Sequence, residues 1–203
     1  MTGQMKGSMA NFVTTTHGND NVIRSKAFNQ KDANTISQQK QRACFKLDSE
    51  EYVSFGGITD LGFSEKPKGK SAYNLFMAAN LPGAIDKSGA EPVIDYSKLV
   101  VADGSLAAVV VTGGTTDATG ITISYQTNLL IPKVSDTDEV VAIAKTQIGE
   151  LLVAKQARGN EAVGTITIAY PNIQAANVKC CYLFVRNADG SKASKSVYVP
   201  LIP

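Results

Sequence analysis

Residues 120–126 read Gly-Ile-Thr-Ile-Ser-Tyr-Gln, and residues 164–170 read Gly-Thr-Ile-Thr-Ile-Ala-Tyr. Apolar and polar side chains alternate in both stretches, so Ile121, Ile123 and Tyr125 share one face of a strand. The isoleucines of the second stretch do the same. A strand with one apolar and one polar face is typical of an antiparallel sheet that buries a single side. The alternation therefore predicts two half-buried strands.

Similar strands, separated by turn residues, extend over the rest of the C-terminal half. The predicted strands are Lys98–Ala102, Leu106–Thr112, Gly120–Gln126, Glu139–Lys145, Leu151–Gln156, Gly164–Tyr170, Val178–Arg186 and Lys195–Leu201. Gly113-Gly114 is interpreted as a hairpin turn, and Tyr182 as a candidate tyrosine-corner residue. About seven strands at this spacing predict a mainly β fold, an antiparallel sandwich of the immunoglobulin or fibronectin type III kind.

The N-terminal residues 1–33 are polar, with two short apolar islands at Phe12-Val13 and Val22-Ile23. The turn-forming residues between the islands predict a loose β-hairpin followed by an extended arm. Seven cations and two carboxylates give residues 1–47 a net charge of +5. This charge favours contact with an acidic surface, or else keeps a solvated arm soluble. An isolated hairpin is marginally stable in water, so we expect it to pack on the sandwich or on another subunit.

Two short helices are predicted between the arm and the strands. The first is capped by Asn34 or Thr35 and ends near Phe55, and the second runs from a Ser71 cap to Asn80. On the first helix the predicted buried residues are Ile36, Ala43, Leu47 and Val53, whereas Asp48, Glu50 and Glu51 are interpreted as a solvated charge run. The predicted organisation is a basic arm or hairpin at 1–33, a two-helix segment packed on the sandwich at 34–95, and the sandwich at 96–203.

Residues with catalytic potential are few and scattered. His17 is the only histidine and lies in a predicted turn, and neither Ser25 nor Cys44 has the context of a nucleophile elbow. Asp136 and Asp138 share an oxygen-rich turn but lack the glycine and glutamate spacing of a calcium loop. We therefore predict no enzyme activity, no cofactor and no metal site.

The cysteines and the apolar runs indicate the cellular compartment of the protein. Cys180 and Cys181 are adjacent in a predicted strand, so their side chains point to opposite faces, and no cysteine spacing suggests zinc. We expect three reduced thiols. No run is apolar enough to span a bilayer, and the N-terminus lacks the apolar region of a secretory signal. We expect synthesis in the cytoplasm of the cell that makes the protein, with no membrane contact and no specific nucleic-acid partner.

Several segments, in order, carry a family resemblance. Residues 35–45 resemble a T-x-x-Q-x-x-Q-R-x-x-F helix, and Lys70-Ser71-Ala72-Tyr73-Asn74 and Ile94-Asp95-Tyr96-Ser97-Lys98 follow it. Together they resemble an uncharacterised domain family of Bacteroidota and their phages, whose basic N-terminal pattern residues 22–26 also fit. The resemblance implies a lineage and an architecture, and it transfers no catalytic residue.

These observations favour a structural protein of a phage virion, located in the particle as a capsid-decorating, head–tail connecting or tail-associated subunit. We expect it to form homo-oligomers or to assemble with capsid or tail proteins through its arm and first helix. The predicted interface residues are Phe12, Val13, Val22, Ile23, Arg24, Lys26, Gln38, Gln41 and Arg42. Arg42 can equally well form an ion pair with an acidic residue of the same chain instead of contacting another subunit.

The alternative function is a surface module that binds a glycan or a receptor. Its contacts would lie in the sandwich loops, at Thr115–Thr119, Ser135–Asp138 and Asn187–Lys192. The chain contains no tryptophan, and its tyrosines are scattered, which argues against a stacking platform for carbohydrate or single-stranded nucleic acid.

Overall fold

A three-stranded antiparallel sheet forms the N-terminal part of the computed structural model, which describes residues 6–17, 20–26, 33–130 and 134–202. Its strands are β1 (Gly7–Met9), β2 (Phe12–His17) and β3 (Asp20–Ser25), paired in the order β1-β2-β3. The predicted hairpin corresponds to β2 and β3. Most of the predicted arm that follows it, residues 27–32, lies outside the described residues.

The chain divides into two compact units, Met1–Gln39 and Lys40–Pro203. The three domain boundaries proposed from the sequence stay predictions. The helices of the chain are α1 (Ile36–Phe55), α2 (Ile58–Gly62) and α3 (Ala72–Asn80).

Both predicted helix starts are confirmed, each with its capping residue. Thr35 Oγ1 accepts from the Gln38 backbone N–H at 3.3 Å, and Gln38 Oε1 accepts from the Thr35 N–H at 3.1 Å, which is a reciprocal capping box. Ser71 Oγ accepts from the Asn74 N–H at 3.3 Å at the start of α3. These side chains satisfy backbone donors that have no partner inside a helix.

Seven of the remaining described strands build a two-sheet sandwich. They are β6 (Val110–Thr116), β7 (Gly120–Gln126), β8 (Glu139–Thr146), β9 (Leu151–Ala157), β10 (Val163–Ala169), β11 (Val178–Arg186) and β12 (Val197–Tyr198). One sheet has the order β10-β7-β6 and the other β12-β11-β8-β9. This strand distribution is that of a fibronectin type III sandwich, so the predicted fold class is confirmed. A further short pair, β4 (Ile85–Asp86) and β5 (Val93–Ile94), precedes it.

The two stretches that predict the fold pair with each other. Ile166 lies opposite Ile123 and Ile168 opposite Ile121 in the antiparallel register of β10 and β7. All four isoleucines are buried, together with Tyr125. The alternation therefore identified the inward face of this sheet correctly.

One strand prediction is wrong, a second is too long and a third is shifted. Lys98–Ala102 is not a strand, and only Val197–Tyr198 of the predicted last strand is one. The strand predicted at Leu106–Thr112 begins instead at Val110 and runs to Thr116.

Gly113-Gly114 lies within β6, so its interpretation as a hairpin turn is wrong. A Cβ at Gly114 would lie 2.6 Å from Cγ1 of Val199, so the strand needs glycine there for close packing against the C-terminal segment.

The sheet β12-β11-β8-β9 is covered on both faces. Cys180, Tyr182 and Phe184 of β11 face a core that they share with residues of the helices, whereas Cys181 and Leu183 face the other sheet. The two cysteines thus lie on opposite sides, as predicted from their adjacency. The result is three layers: helices, a central sheet and an outer sheet.

Polar contacts fasten the helical layer to the sandwich. The fully buried Asn80 side chain donates to the Val100 carbonyl at 2.9 Å and accepts from the Val100 N–H at 2.7 Å. The Tyr182 hydroxyl donates to the Tyr96 carbonyl at 2.7 Å. Since that carbonyl is 86 residues away in sequence, the tyrosine-corner interpretation of Tyr182 is wrong. Its hydroxyl ties the segment before the sandwich to the penultimate strand.

Candidate functional site

Three of the four large exposed apolar side chains of the N-terminal sheet lie on one of its faces. Met9 lies opposite Phe12, and Thr14, two residues further along β2, lies opposite Ile23, so Met9, Phe12 and Ile23 share a face. They are 79%, 54% and 64% exposed. We call these three residues the apolar face. Large apolar side chains that are exposed side by side are typical of a surface that a partner covers, whereas single ones are not.

The sequence predicts Phe12 and Ile23 in this role but not Met9. The signal that finds Met9 is structural, because only the register of β1 against β2 places it opposite Phe12. Ala10, with φ 50°, adopts the left-handed conformation in the turn between the two strands.

The opposite face and the outer strand of this sheet hold the other predicted residues. Val13 lies opposite Arg24, and Val22 opposite Thr15. All six residues of β3 are exposed, and Lys26, just beyond the strand, donates its backbone N–H to the Asn11 carbonyl at 2.6 Å. Among the described residues β3 pairs with β2 alone, so its second edge is open to another strand.

The predicted residues of the first helix divide between two roles. Gln38 is a helix-capping residue, because its side chain accepts from the Thr35 N–H. Gln41 and Arg42 lie on the exposed surface of α1. The sequence assigns all three to an interface. For Gln38 the structure shows a second role, because its side chain completes the capping box at the start of α1.

The inward surface of α1 carries charges that the sequence pattern assigns to solvent. Its buried residues are Cys44, Asp48, Glu51 and Phe55. Ile36 and Val53, predicted to be buried, are exposed, and of the predicted solvated charge run only Glu50 is exposed. The helical spacing fixes this outcome, because residues 44, 48, 51 and 55 lie on one face of a 3.6-residue helix.

Glu51 forms a buried ion pair with the central sheet. Lys145 Nζ lies 2.6 Å from Glu51 Oε1 and 2.6 Å from Ser54 Oγ, and both charged side chains are nearly inaccessible. The Tyr96 hydroxyl donates to Glu51 Oε2 at 3.3 Å, and the ammonium group lies 5.2 Å from the centre of the Phe55 ring. Each buried charge of this cluster therefore has a hydrogen-bonded partner, and the contact between helix and sheet leaves neither Glu51 nor Lys145 uncompensated.

Asp48 is the unmatched member of this surface. It is fully buried, and neither carboxylate oxygen has a hydrogen-bond partner in the described part of the chain. Burial and, secondarily, the charge of Glu51 raise the pKa of Asp48 to about 7. The carboxyl group is therefore close to half protonated at neutral pH.

A second buried ion pair occupies the loop considered for calcium. Asp138 Oδ2 lies 3.1 Å from Arg158 Nη1, and the same oxygen accepts from the Ser135 N–H at 2.9 Å. The carboxylate is thus engaged by an internal cation. Among the residues that the structure describes, no group of three histidine, cysteine or carboxylate side chains is placed to hold a metal ion.

All three cysteine thiols are buried. Cys44, Cys180 and Cys181 are free. Burial raises the pKa of Cys180 to about 11 and that of Cys181 to about 12, which disfavours the nucleophilic thiolate. His17 lies at the exposed end of β2, opposite Asp20.

These features define a class of protein, a fibronectin type III-like sandwich covered on one side by helices and preceded by a small sheet with an exposed apolar face. The model of the family of unknown function DUF6266 matches residues 4–200, so the chain belongs to that family. No curated protein matches it. Within the described residues, no helix combines the length and apolar composition needed to cross a membrane.

Proposed function

We propose that this protein is a non-enzymatic structural subunit of a phage virion that docks through its N-terminal sheet and displays the sandwich. The observation that carries the proposal is the apolar face, Met9, Phe12 and Ile23, exposed on a sheet with an open edge. The similarity of residues 35–45, 70–74 and 94–98 to a domain family of Bacteroidota and their phages supports the placement in a particle.

The docking mode follows from the chemistry of the sheet. Covering each large apolar side chain contributes about 1.5–3 kcal/mol, so the apolar face can anchor a partner. The open edge of β3 offers backbone donors and acceptors to a further strand. Arg24 and Lys26 add positive charge on or beside the same strand, which favours an acidic surface on the neighbouring capsid, tail or identical subunit.

The first experiment is quantitative mass spectrometry of purified particles from the source culture, scaled to the major capsid protein. We expect a fixed ratio of this chain to the capsid protein, whose value distinguishes decoration from a connector or tail ring. A chain that stays in the cell fraction and is missing from particles refutes the virion assignment.

A pair of matched variants tests the docking surface itself. Ile23→Asp places a charge on the apolar face, and Ile202→Asp places one on an isoleucine of similar exposure, 62%, in the C-terminal segment. We expect the first variant to be lost from particles while the second is retained. Equal incorporation of both variants contradicts docking through this face.

Trypsin accessibility gives an independent readout, because Arg24 and Lys26 are cleavage sites on or beside β3. The free protein is expected to be cut there quickly, and the particle-bound protein slowly. Protection of these sites in the free monomer contradicts the proposal.

A further inference from the structure

Two adjoining cavities open at one end of the sandwich, around the segment that leads from β10 to β11. The larger, of about 510 Å³, is lined by residues 116–118 and 172–176. The smaller, of about 260 Å³, is lined by residues 146–148 together with Tyr170, Asn172, Ile173 and Asn177. Asn172 and Ile173 line both, so we treat the two as one groove, called here the end groove.

Four side-chain carboxamides surround the end groove, those of Gln147, Asn172, Gln174 and Asn177. All four residues are exposed. In the described part of the chain none of these amides forms a hydrogen bond with protein, in contrast to the amide of the buried Asn80. Each one therefore offers both a donor and an acceptor to a ligand.

Apolar surface complements these amides. Ile173 is buried and contributes the floor shared by both cavities. The Tyr170 side chain lines the smaller cavity, and its hydroxyl donates to Glu150 Oε2 at 3.0 Å, which fixes the orientation of the ring. A phenol ring held in this way presents an apolar body beside polar groups.

The end groove carries no uncommitted charge. Asp117 is the single ionisable acid or base among its lining residues, apart from the phenol of Tyr170. Its Oδ1 accepts from the Thr119 hydroxyl, from the Thr119 N–H at 2.7 Å and from the Gly120 N–H at 3.1 Å, and these hydrogen bonds, the hydroxyl's first, hold the pKa of Asp117 below its usual value. A ligand that fits this lining is neutral and rich in hydroxyl groups.

Backbone hydrogen bonds hold the groove in shape. The Asn172 N–H donates to the Ala118 carbonyl at 3.2 Å, and the Gln147 N–H donates to the Asn177 carbonyl at 2.8 Å. Asn172 has φ 60°, a conformation that asparagine tolerates better than most residues. Since these backbone hydrogen bonds form the walls before any ligand arrives, binding requires little ordering of the backbone, and the entropy cost falls on the exposed carboxamide side chains.

We propose that the end groove binds a neutral oligosaccharide, with the four carboxamides hydrogen bonding to sugar hydroxyls and Tyr170 contacting the apolar face of a ring. Part of the loop Thr115–Thr119, named from the sequence as a glycan-contact candidate, forms one wall. In another candidate loop the Asn187 amide is already used, accepting from the Lys192 N–H at 2.8 Å and donating to Ser191. This inference does not depend on the proposed virion role.

The test is an array of neutral oligosaccharides of about two to six sugars, built from glucose, galactose, mannose and N-acetylglucosamine, probed with the full chain. The strongest array member is then titrated calorimetrically against the variants. Gln174→Ala removes one exposed amide, and Asn172→Gly removes another while preserving the positive φ. Gln156→Ala, on an exposed position of β9 away from the groove, is the matched control.

We expect binding of at least one array member, a loss of affinity of about 2–10-fold for each groove variant, and an unchanged affinity for the control. Because Gln174 is exposed and its side chain makes no protein contact by hydrogen bonding, its variant retains the fold, which circular dichroism verifies. Binding to none of the neutral oligosaccharides overturns the proposal. So does binding that both groove variants leave unaltered.

Discussion

Replacing the buried Asp48 by asparagine is expected to change how the stability of the protein depends on pH. Burial, and then the charge of Glu51, raise the pKa of this carboxyl from 3.8 to about 7 in the folded chain. The unfolded chain releases the proton near its ordinary pKa. Folding therefore becomes less favourable as the pH rises from about 4 to about 7, and the penalty is complete above that range.

The size of the effect follows from the difference between the two pKa values, 3.8 and about 7. A difference of about 3 corresponds to about 4 kcal/mol, which is an upper value for the free-energy cost of ionising Asp48 in the fold. An asparagine side chain at this position has the shape of the acid without its charge. We expect the difference in the free energy of unfolding between Asp48→Asn and the natural chain to grow in favour of the variant, by about 2–4 kcal/mol from pH 4 to pH 8.

Urea unfolding at pH 4 and pH 8, followed by far-ultraviolet circular dichroism, measures this gain. The unpaired amide of the variant contributes a cost that is independent of pH, so the comparison uses the change between the two pH values. Glu50→Gln, on the exposed neighbouring position, is the control and is expected to show little change. A free-energy difference between Asp48→Asn and the natural chain that stays constant from pH 4 to pH 8 refutes the assignment of a raised pKa.

Two further predictions concern the core. Lys145→Met leaves Glu51 buried without its cation and is expected to cost about 3–5 kcal/mol in denaturant unfolding, whereas adding Glu51→Leu recovers most of that loss; a double variant no more stable than the single one contradicts the pairing. Gly114→Ala brings a methyl group to 2.6 Å from Val199 and is expected to cost about 1–3 kcal/mol. Gly113→Ala has open space and serves as its control, so equal melting temperatures for the two argue against the close packing of β6.

Alternation in the sequence predicts the sandwich strands well where one face is buried and the other exposed. It fails at Lys98–Ala102, where Leu99, Val101 and Ala102 are buried as a strand requires. The backbone there is held by contacts other than a strand ladder, such as the Val101 N–H donating to Ser196 Oγ at 3.0 Å. Apolar spacing reports burial, and burial alone does not distinguish a ladder from an extended segment fixed by side chains.

The buried charges of α1 illustrate a second limit. Because charged residues are rarely buried, residue type alone predicts that Asp48, Glu51 and Lys145 are exposed to solvent. The available signal was the position of Lys145 directly after the apolar run 140–144, together with the helical spacing of Asp48 and Glu51 from Cys44 and Phe55. This signal can be interpreted only when it is known that α1 packs on the strand of Lys145. That contact belongs to the tertiary structure and is not visible in the local sequence.

The end groove was the least accessible to sequence reasoning. Its carboxamides come from residues 147, 172, 174 and 177, on two segments that the register of β8 and β11 brings together. Gln and Asn residues in turns are usually interpreted as solvent-exposed turn residues. The pairing of Thr146 with Val178 and the backbone hydrogen bond from Gln147 to Asn177 show that these segments meet, and both are features of the tertiary structure.

The adjacent Cys180 and Cys181 supply the protein with two built-in reporters. One thiol is shielded by the helical layer and the other by the outer sheet. Because burial raises the pKa of both, an alkylating reagent modifies each only after its own shield opens. The order in which Cys180 and Cys181 are alkylated therefore shows which layer separates from the central sheet first, and the experiment requires no engineered cysteine.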